Sequence, residues 1–429
     1  MSKTLVVVGL GSNLNCLKNL RSALWHLKSI ANFNVLKVSA IYESDAQVLP
    51  NAPQEWSKKY LNAAVLVEAA HFEPLHFLNE LKMIEKKIGR VQSERWAPRE
   101  IDLDILYVDQ FKFQSEQLTI PHKNIQERPF ALLPALEVFP VMKIEKPIWA
   151  NEWFSVERPF RTQRSKDFFW TEFVGILNLT TDSFSDGGQY LNEEQFKNQV
   201  LKLVRDGAEI LDLGAESTRP GATEVSDALQ LERLNLALGW LNDMKLNVRV
   251  SLDCRKPNVL KKLIDRHRID FINDVTGFNE PSMLQILKDT TAKTIVMHSL
   301  TIPPDQKNTL IKVENPCDQL NQWWKQKINI FHNSNISMER LIFDPGIGFG
   351  KTAEQNFYIL NHLEQFKDIA VPTYLAFSRK SFFKQSTTSD ENHFKDLATA
   401  QQLGKINPLH YQYLRTHDIE SQKIALRML

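Results

Sequence analysis

Long apolar runs are missing from this chain: no stretch reaches the ~18 residues that a membrane-spanning helix needs. Cysteine is scarce. Cys16, Cys254 and Cys317 lie far apart with no CxxC pair, which argues against a disulfide framework or a structural zinc site. Excess charge is missing as well. Lys and Arg number 52 against 51 Asp and Glu, so bulk electrostatics points to neither nucleic acid nor an anionic membrane as a partner. A Walker A sequence is absent, which excludes a P-loop kinase, and there is no HExxH or clustered histidine set for zinc. The N-terminus runs straight into Leu5-Val6-Val7-Val8-Gly9 with no cleavage region after it, so it reads as a first strand and not as a signal peptide. A cytoplasmic location is expected. What is present is ordinary for a globular protein, 43% hydrophobic and 24% charged residues. At ~100–200 residues per domain, 429 residues suggest two or three domains.

The chain divides near residues 146–170, a stretch rich in Pro, Trp, Arg and Lys without strand or helix periodicity, read here as a linker. Ahead of it, within residues 1–145, apolar runs at 5–9, 35–42, 60–68 and 101–108 read as strands. Leu17, Leu20, Leu24 and Leu27, then Leu75, Leu78, Leu81, Ile84 and Ile88, mark two helices, the second opened by Pro74. This βαββαβ order predicts a ferredoxin-like α+β fold. Behind the linker, residues 171–429 carry eight short apolar runs separated by helical stretches. In one of these stretches Asn192 and Gln195 form a capping pair and Gly207 is the stop. Eight such repeats predict an α/β (β/α)8 TIM barrel, with an open doubly wound sheet as the alternative.

In the first half, Asp102 and Asp104 lie two apart on a strand and share a face. Two carboxylates so placed repel each other unless they share cations, and Mg2+ suits oxygen donors and phosphates. Arg90, Arg95, Trp96 and Arg99 form a cationic stretch beside them, suited to multidentate phosphate contacts. Gly9-Leu10-Gly11-Ser12-Asn13 is too short a signal for nucleotide binding and reads as a strand-to-helix turn. Together with Tyr60-Leu61-Asn62-Ala63-Ala64, Arg95-Trp96-Ala97-Pro98-Arg99, Asp102-Leu103-Asp104, Thr119-Ile120-Pro121-His122, and Arg128 with Phe130, these segments resemble 6-hydroxymethyl-7,8-dihydropterin pyrophosphokinase over residues 4–140. The resemblance implies transfer of the terminal two phosphoryl groups of ATP to the pterin hydroxymethyl oxygen. Asp102 and Asp104 would bind Mg2+. Arg90, Arg95, Arg99 and His122 would contact the phosphates, and Glu85 would lie on the nucleotide side. Tyr60 and Phe130 would sandwich the pterin, with Asn62 on its edge and Arg128 in the same set. Ser44-Asp45, Gln92 and Gln117 depart from the family pattern.

In the second half, polar residues follow every strand, where barrel active sites are built. Arg219, Lys380, Arg415 and His417 could converge on an anion. Asp253, Asn273 and Asp344 suit a flat heterocycle with several N–H donors. No nucleophile has an evident base, and His298 reads as structural. The run Asn178-Leu179-Thr180-Thr181-Asp182-Ser183-Phe184, with 216–221, 344–351, 378–380 and 415–418 in order, resembles dihydropteroate synthase over residues 172–429. That implies condensation of the pterin diphosphate with 4-aminobenzoate. Asn178 would hold Mg2+, and Arg219, Arg415 and His417 would bind pyrophosphate. Asp253, Asn273, Asp344, Phe349 and Lys380 would hold the pterin, with Asp253 stabilising positive charge. Ser381 would open a helix toward the 4-aminobenzoate carboxylate, and Thr218, Arg219 and Pro220 would line that side.

The two implied reactions connect, since the first makes what the second consumes. A methyltransferase barrel is a weaker reading, because it leaves Asp102, Asp104 and the anion set without a purpose. The alternative of another class is an active barrel behind a degenerate, scaffold-like first domain, motivated by Gln92, Gln117 and the 43–59 loop. The partners expected are the small substrates hydroxymethyldihydropterin, ATP and 4-aminobenzoate, with no nucleic acid and no membrane. The resemblance adds a homodimer through the barrel. The preceding pathway step is expected on another chain.

Overall fold

The computed structural model describes residues 3–30, 32–46, 51–91, 94, 97–144, 162–179, 185–186, 190–217, 224–305, 307–310, 315–385 and 391–428. Two compact units, residues 1–170 and 171–429, make up the chain.

The first unit contains β1 (Thr4–Ser12), α1 (Cys16–Lys28), β2 (Phe33–Val38), β3 (Tyr42–Ser44), β4 (Tyr60–Ala69), α2 (Pro74–Ile88) and β5 (Asp102–Val108). The hairpin β6 (Phe113–Gln114) and β7 (Thr119–Ile120), α3 (Pro129–Val138) and β8 (Thr162–Arg164) complete it. The main sheet runs β5-β1-β4-β3-β8, with β2 also paired to β4. All its ladders are antiparallel. Helix α2 starts where Pro74 needs no N–H partner and Glu73 accepts from His76 N at 2.5 Å. It stops where Gly89 takes φ 105°. Val7 and Leu66 point to the face that α3 covers through Leu132, Ala135 and Val138. Further along that face β1 carries Gly9 and Gly11, which are paired with Asp104 and Asp102 of β5; the Leu106 side chain covers Gly9, and Gly11 leaves the sheet surface bare.

Three expectations change here. The expected strand at 35–42 is two strands, β2 and β3. Gly9–Ser12 is not a turn but the end of β1, and the bend follows at Asn15 with φ 47°. Residues 162–170 are not linker. Thr162–Arg164 pairs with β3, Trp170 donates from Nε1 to the Ser39 carbonyl at 2.8 Å, and Arg21 holds the Phe169 carbonyl at 2.7 Å.

The second unit begins with β9 (Glu172–Asn178), a small hairpin of β10 (Ser185–Asp186) and β11 (Tyr190–Leu191), and α4 (Glu193–Asp206). Strand–helix repeats follow: β12 (Ile210–Gly214), α5 (Asp227–Asp243), β13 (Arg249–Asp253), α6 (Pro257–Ile264), β14 (Phe271–Asp274), α7 (Pro281–Lys288), β15 (Lys293–Met297), α8 (Pro316–Asn333), β16 (Leu341–Asp344), α9 (Ala353–Asn361), β17 (Tyr374–Leu375), α10 (Asn392–Leu403), β18 (Tyr413–Thr416) and α11 (Ile419–Arg427). The parallel sheet runs β16-β15-β14-β13-β12-β9-β18-β17, and a bridge from Phe343 to Thr373 brings its two edges together. The result is an (β/α)8 barrel, and the open-sheet alternative falls. Val174, Ile210, Phe271, Ile295, Ile342, Tyr374 and Tyr413 fill its interior as one apolar layer. Helix α4 shows how locally the elements are written. Asn192 accepts from Gln195 N at 2.9 Å, Phe196, Val200 and Leu203 are buried, and Gly207 ends the helix at φ 107°.

Candidate active sites

The bare stretch of the first sheet is the floor of a cavity of about 250 Å³. Gly11 on β1 lies between Asp102 and Asp104 of β5 on one side and Tyr60 and Asn62 of β4 on the other, and Ser44, Asp45, Arg99, Arg128 and Phe130 also line the cavity. The expected pterin residues Tyr60, Asn62, Arg128 and Phe130 therefore meet the expected metal ligands in one place. Asn62 donates through Nδ2 to Ser44 Oγ at 2.9 Å, which fixes its amide and leaves Oδ1 as an acceptor. The Arg128 guanidinium lies 6.0 Å from the Phe130 ring centroid.

The two aspartates differ. Asp102 accepts from Arg90 Nη1 at 2.6 Å and Arg99 Nη1 at 2.9 Å. Burial alone would raise its pKa, but Arg90, Lys82 and Arg99 outweigh burial and hold it below the usual range. Burial, with the neighbouring Asp102 charge, pushes Asp104 up to about 6. One strand thus presents a firmly ionised carboxylate beside one whose burial outweighs the opposing charges of Lys82 and Arg128.

Glu85, expected on the nucleotide side, is a buried clamp and does not line the cavity. Its Oε1 accepts from Leu103 N at 2.8 Å and Lys82 Nζ at 2.7 Å and pairs with Arg90 Nη1 at 2.6 Å, tying α2 to β5. Arg90 is shared between Glu85 and Asp102 and does not line the cavity. His122 lies outside the lining too. Burial, reinforced by Arg128 and Lys123, lowers it to about 4, so it is neutral at physiological pH. Arg95, Trp96 and Gln92 lie outside the described residues.

In the barrel the polar residues gather at the C-terminal ends of the strands. Arg415 on β18 donates from Nε to Asp212 at 2.6 Å and from Nη2 to Asp253 at 3.1 Å. Asn273 on β14 adds an Nδ2 contact to Asp212 at 3.4 Å. Two expected residues, Arg415 and Asn273, thus converge on one that was missed, Asp212, a fully buried acid inside β12 that Arg415 links to Asp253. Its signal was a single charge among the apolar residues Ile210, Leu211 and Leu213, and a buried charge requires a partner. Burial pushes Asp253 up to about 7, and Asp344 up to about 6.

Asp344 also accepts from Gly346 N at 2.7 Å and so shapes the loop behind it. A Cβ on Gly346, at φ 66°, would collide with the His298 carbonyl, so only glycine fits there. Lys351 closes the loop from within: its Nζ donates to the Gly346 and Phe349 carbonyls at 2.9 and 3.1 Å and meets His298 Nδ1 at 3.0 Å. Phe349 faces Lys380, whose Nζ sits 4.2 Å from the ring centroid. Ser378 Oγ meets His417 Nδ1 at 3.0 Å and orients the ring. Arg379 turns away to Asp396 with two bonds of 2.7 Å. Ser381 opens a helix, a five-residue 3-10 helix, Ser381–Gln385. Asn178 ends β9 opposite Gly214. Thr218, Arg219 and Pro220 lie outside the described residues.

The family model for 7,8-dihydro-6-hydroxymethylpterin-pyrophosphokinase matches residues 7–140, and that for pterin binding enzymes matches residues 174–409. A folate synthesis bifunctional protein of Chlamydia trachomatis is 31% identical over 98% of this chain and 96% of its own length. A crystal structure of dihydropteroate synthase from Anaplasma phagocytophilum, with bound 6-hydroxymethylpterin-monophosphate, is similar at 31% identity. It covers 61% of this chain and 100% of that one, with a TM-score of 0.54. A two-enzyme chain from Plasmodium falciparum, crystallised as a triple mutant with pteroate, shares the fold over 100% of this chain and 95% of its own at 20% identity, TM-score 0.52. The order of the two matched halves and the near full-length likeness agree, and the chain belongs to the family of bifunctional folate synthesis proteins, with a hydroxymethyldihydropterin pyrophosphokinase followed by a dihydropteroate synthase.

Proposed function

We propose that the two sites divide the work as follows. In the first cavity the pterin lies between Tyr60 and Phe130, with its donor edge toward Asn62 Oδ1, and ATP approaches along Arg99. The hydroxymethyl oxygen takes the terminal two phosphoryl groups of ATP, and AMP leaves. The donor chemistry of this wall fits Mg2+: two carboxylates, Asp102 and Asp104, share one face of a strand and both line the cavity. Bound there, Mg2+ would offset the charge of the phosphate chain. Arg90 and Arg99 hold Asp102 ionised and fixed, and Glu85 holds Arg90 in place. The single observation that carries this reading is the convergence of Asp102, Asp104, Tyr60, Asn62, Arg128 and Phe130 on one cavity. The same convergence disfavours a scaffold role for the first unit.

In the barrel, Asp253 and Asp344 hold the pterin. An ionised carboxylate accepts hydrogen bonds through both oxygens, which matches the N–H donors on a pterin edge. Lys380, Arg415 and His417 face the diphosphate, and departure of pyrophosphate opens the exocyclic carbon to the amine of 4-aminobenzoate. Asp253 stabilises the positive charge that develops there. Asn178 contributes one amide oxygen, too few donors among the described residues to make a Mg2+ site, and no step is assigned to a cation in the barrel. The reading places the enzyme in the cytoplasm, with pairing to a second copy through the barrel.

The test is a coupled assay on the full-length protein with ATP, Mg2+, hydroxymethyldihydropterin and 4-aminobenzoate, quantifying AMP and dihydropteroate. Both products are expected. Asp102→Asn with Asp104→Asn should abolish AMP formation yet still convert supplied pterin diphosphate. AMP from that double variant at the wild-type rate would overturn the assignment of the first site.

A further inference from the structure

Asp212 has no part in the division of work just given. It stands on β12, two residues before Gly214, which pairs in register with Asp253. One of its oxygens accepts from Arg415 Nε at 2.6 Å, and the other arm of that guanidinium, Nη2, reaches Asp253 at 3.1 Å. A guanidinium is planar and its donors are fixed relative to one another, so anchoring Nε determines where Nη2 lies. We propose that Asp212 is a positioning residue of the dihydropteroate-forming site: it anchors Arg415 side-on, so that Arg415 gives Asp253 one hydrogen bond and does not close on both of its oxygens. The inference rests on the proposed placement of the pterin diphosphate against Asp253 and Arg415.

Energetics and geometry both favour this. A charge at the centre of an apolar strand costs desolvation that a leucine would avoid, and replacing a buried ion pair by apolar residues is often neutral or stabilising. Stability alone therefore gives weak reason for Asp212. Geometry gives a better one. Without it, Arg415 is free to swing onto Asp253 in a two-bond fork, the preferred arrangement of arginine with a carboxylate. That fork would occupy the acceptors that a heterocycle's N–H groups require.

The charges around Asp253 make the idea measurable. It is faced by the cations Arg415 on β18 and Lys380 after β17, by the acids Asp212 on β12 and Asp274 on β14, and by Tyr374 on β17. Burial is the largest cause of its raised pKa of about 7, with Arg415 opposing and Asp212 adding to it. Removing the Asp212 charge deletes a neighbouring anion and frees a cation toward Asp253, and both changes lower the Asp253 pKa.

The experiment measures kcat/KM and KM for supplied pterin diphosphate against pH in the full-length protein, for Asp212→Asn, Asp212→Ser and Asp253→Asn. For Asp212→Asn we expect a fall in kcat/KM of about tenfold or more with a raised KM for the pterin diphosphate, a KM for 4-aminobenzoate within about twofold of wild type, and an acidic limb displaced to lower pH. A carboxylate that served folding alone would reduce the amount of active protein without moving the pterin diphosphate KM or the limb. Should Asp212→Asn not fold, Asp212→Ser decides: it removes the charge that anchors the guanidinium, so the same loss is expected. Wild-type pterin diphosphate KM and pH limb in either folded Asp212 variant would overturn the role of Asp212. Wild-type kcat/KM in Asp253→Asn would overturn the substrate placement itself. Loss in Asp253→Asn beside wild-type behaviour of the Asp212 variants would sink only the Asp212 inference.

Discussion

Lys351 shows how a single buried amine shapes the barrel site. Its Nζ ties together the Gly346 and Phe349 carbonyls and His298. Burial is the main cause that brings its pKa down to about 7, with Lys380 adding and Asp344 opposing. The direction of the pH effect follows. Between about 7 and 10.5 the unfolded chain still carries the proton while the folded amine has lost it, so stability from this group rises with pH across that window. The Tm difference between wild type and Lys351→Met should therefore widen from pH 6.5 toward pH 9 (roughly the span that the shift sets), and thermal unfolding at several pH values checks it. A difference that stays constant would mean the amine keeps its proton throughout. Residue roles were legible where type and spacing both spoke. Asp102 and Asp104 announced themselves by their two-residue spacing, whereas Asp212 was hidden within an apolar run. The clamp at Glu85 had a signal of its own: an acid in the last turn of a helix opposes the helix dipole and so needs cations, here Lys82 and Arg90.

At the scale of elements, β1 matters for what it omits. Gly11 is flanked in register by Asp102 on one side and Asn62 on the other. A Cβ there would lie 3.4 Å from Asn62 Oδ1, ordinary contact, so a β-branched residue would fit the strand and fill the cavity floor. Gly11→Val is therefore expected to raise KM for hydroxymethyldihydropterin by about tenfold or more while dihydropteroate formation from supplied diphosphate stays at wild type. Steady-state assays of the two half-reactions separate these effects, and an unchanged pterin KM would place the ring elsewhere. Most elements could be read from periodicity and caps, as Asn192 and Gly207 do for α4 and Pro74 and Gly89 for α2. Those that could not are the short ones. Thr162–Arg164 has three residues, too few to show alternation, and exists because β3 offers it an edge. The change from strand to bend after β1 was misjudged because glycine is common to both.

The whole molecule is two units, each of which builds its site from its own strands: β1, β4 and β5 with the start of α3 in one, and the C-terminal ends of β9 and β12–β18 in the other. The switch from a βαββαβ order to eight strand–helix repeats was visible in the sequence because the two halves differ in period and spacing. Where the first half ends was not visible, since residues 162–170 are held by non-local bonds such as Trp170 to Ser39. The residues proposed for each reaction belong to a single unit. The pterin diphosphate is small and multiply charged, and it is expected to pass through solvent. An excess of a hydrolase that cleaves the free diphosphate, added to the coupled assay, should then divert most of the flux, with AMP formation unchanged and dihydropteroate falling by more than about half. Dihydropteroate formed at the undisturbed rate beside an active trap would require a protected route and would contradict the independence of the two sites.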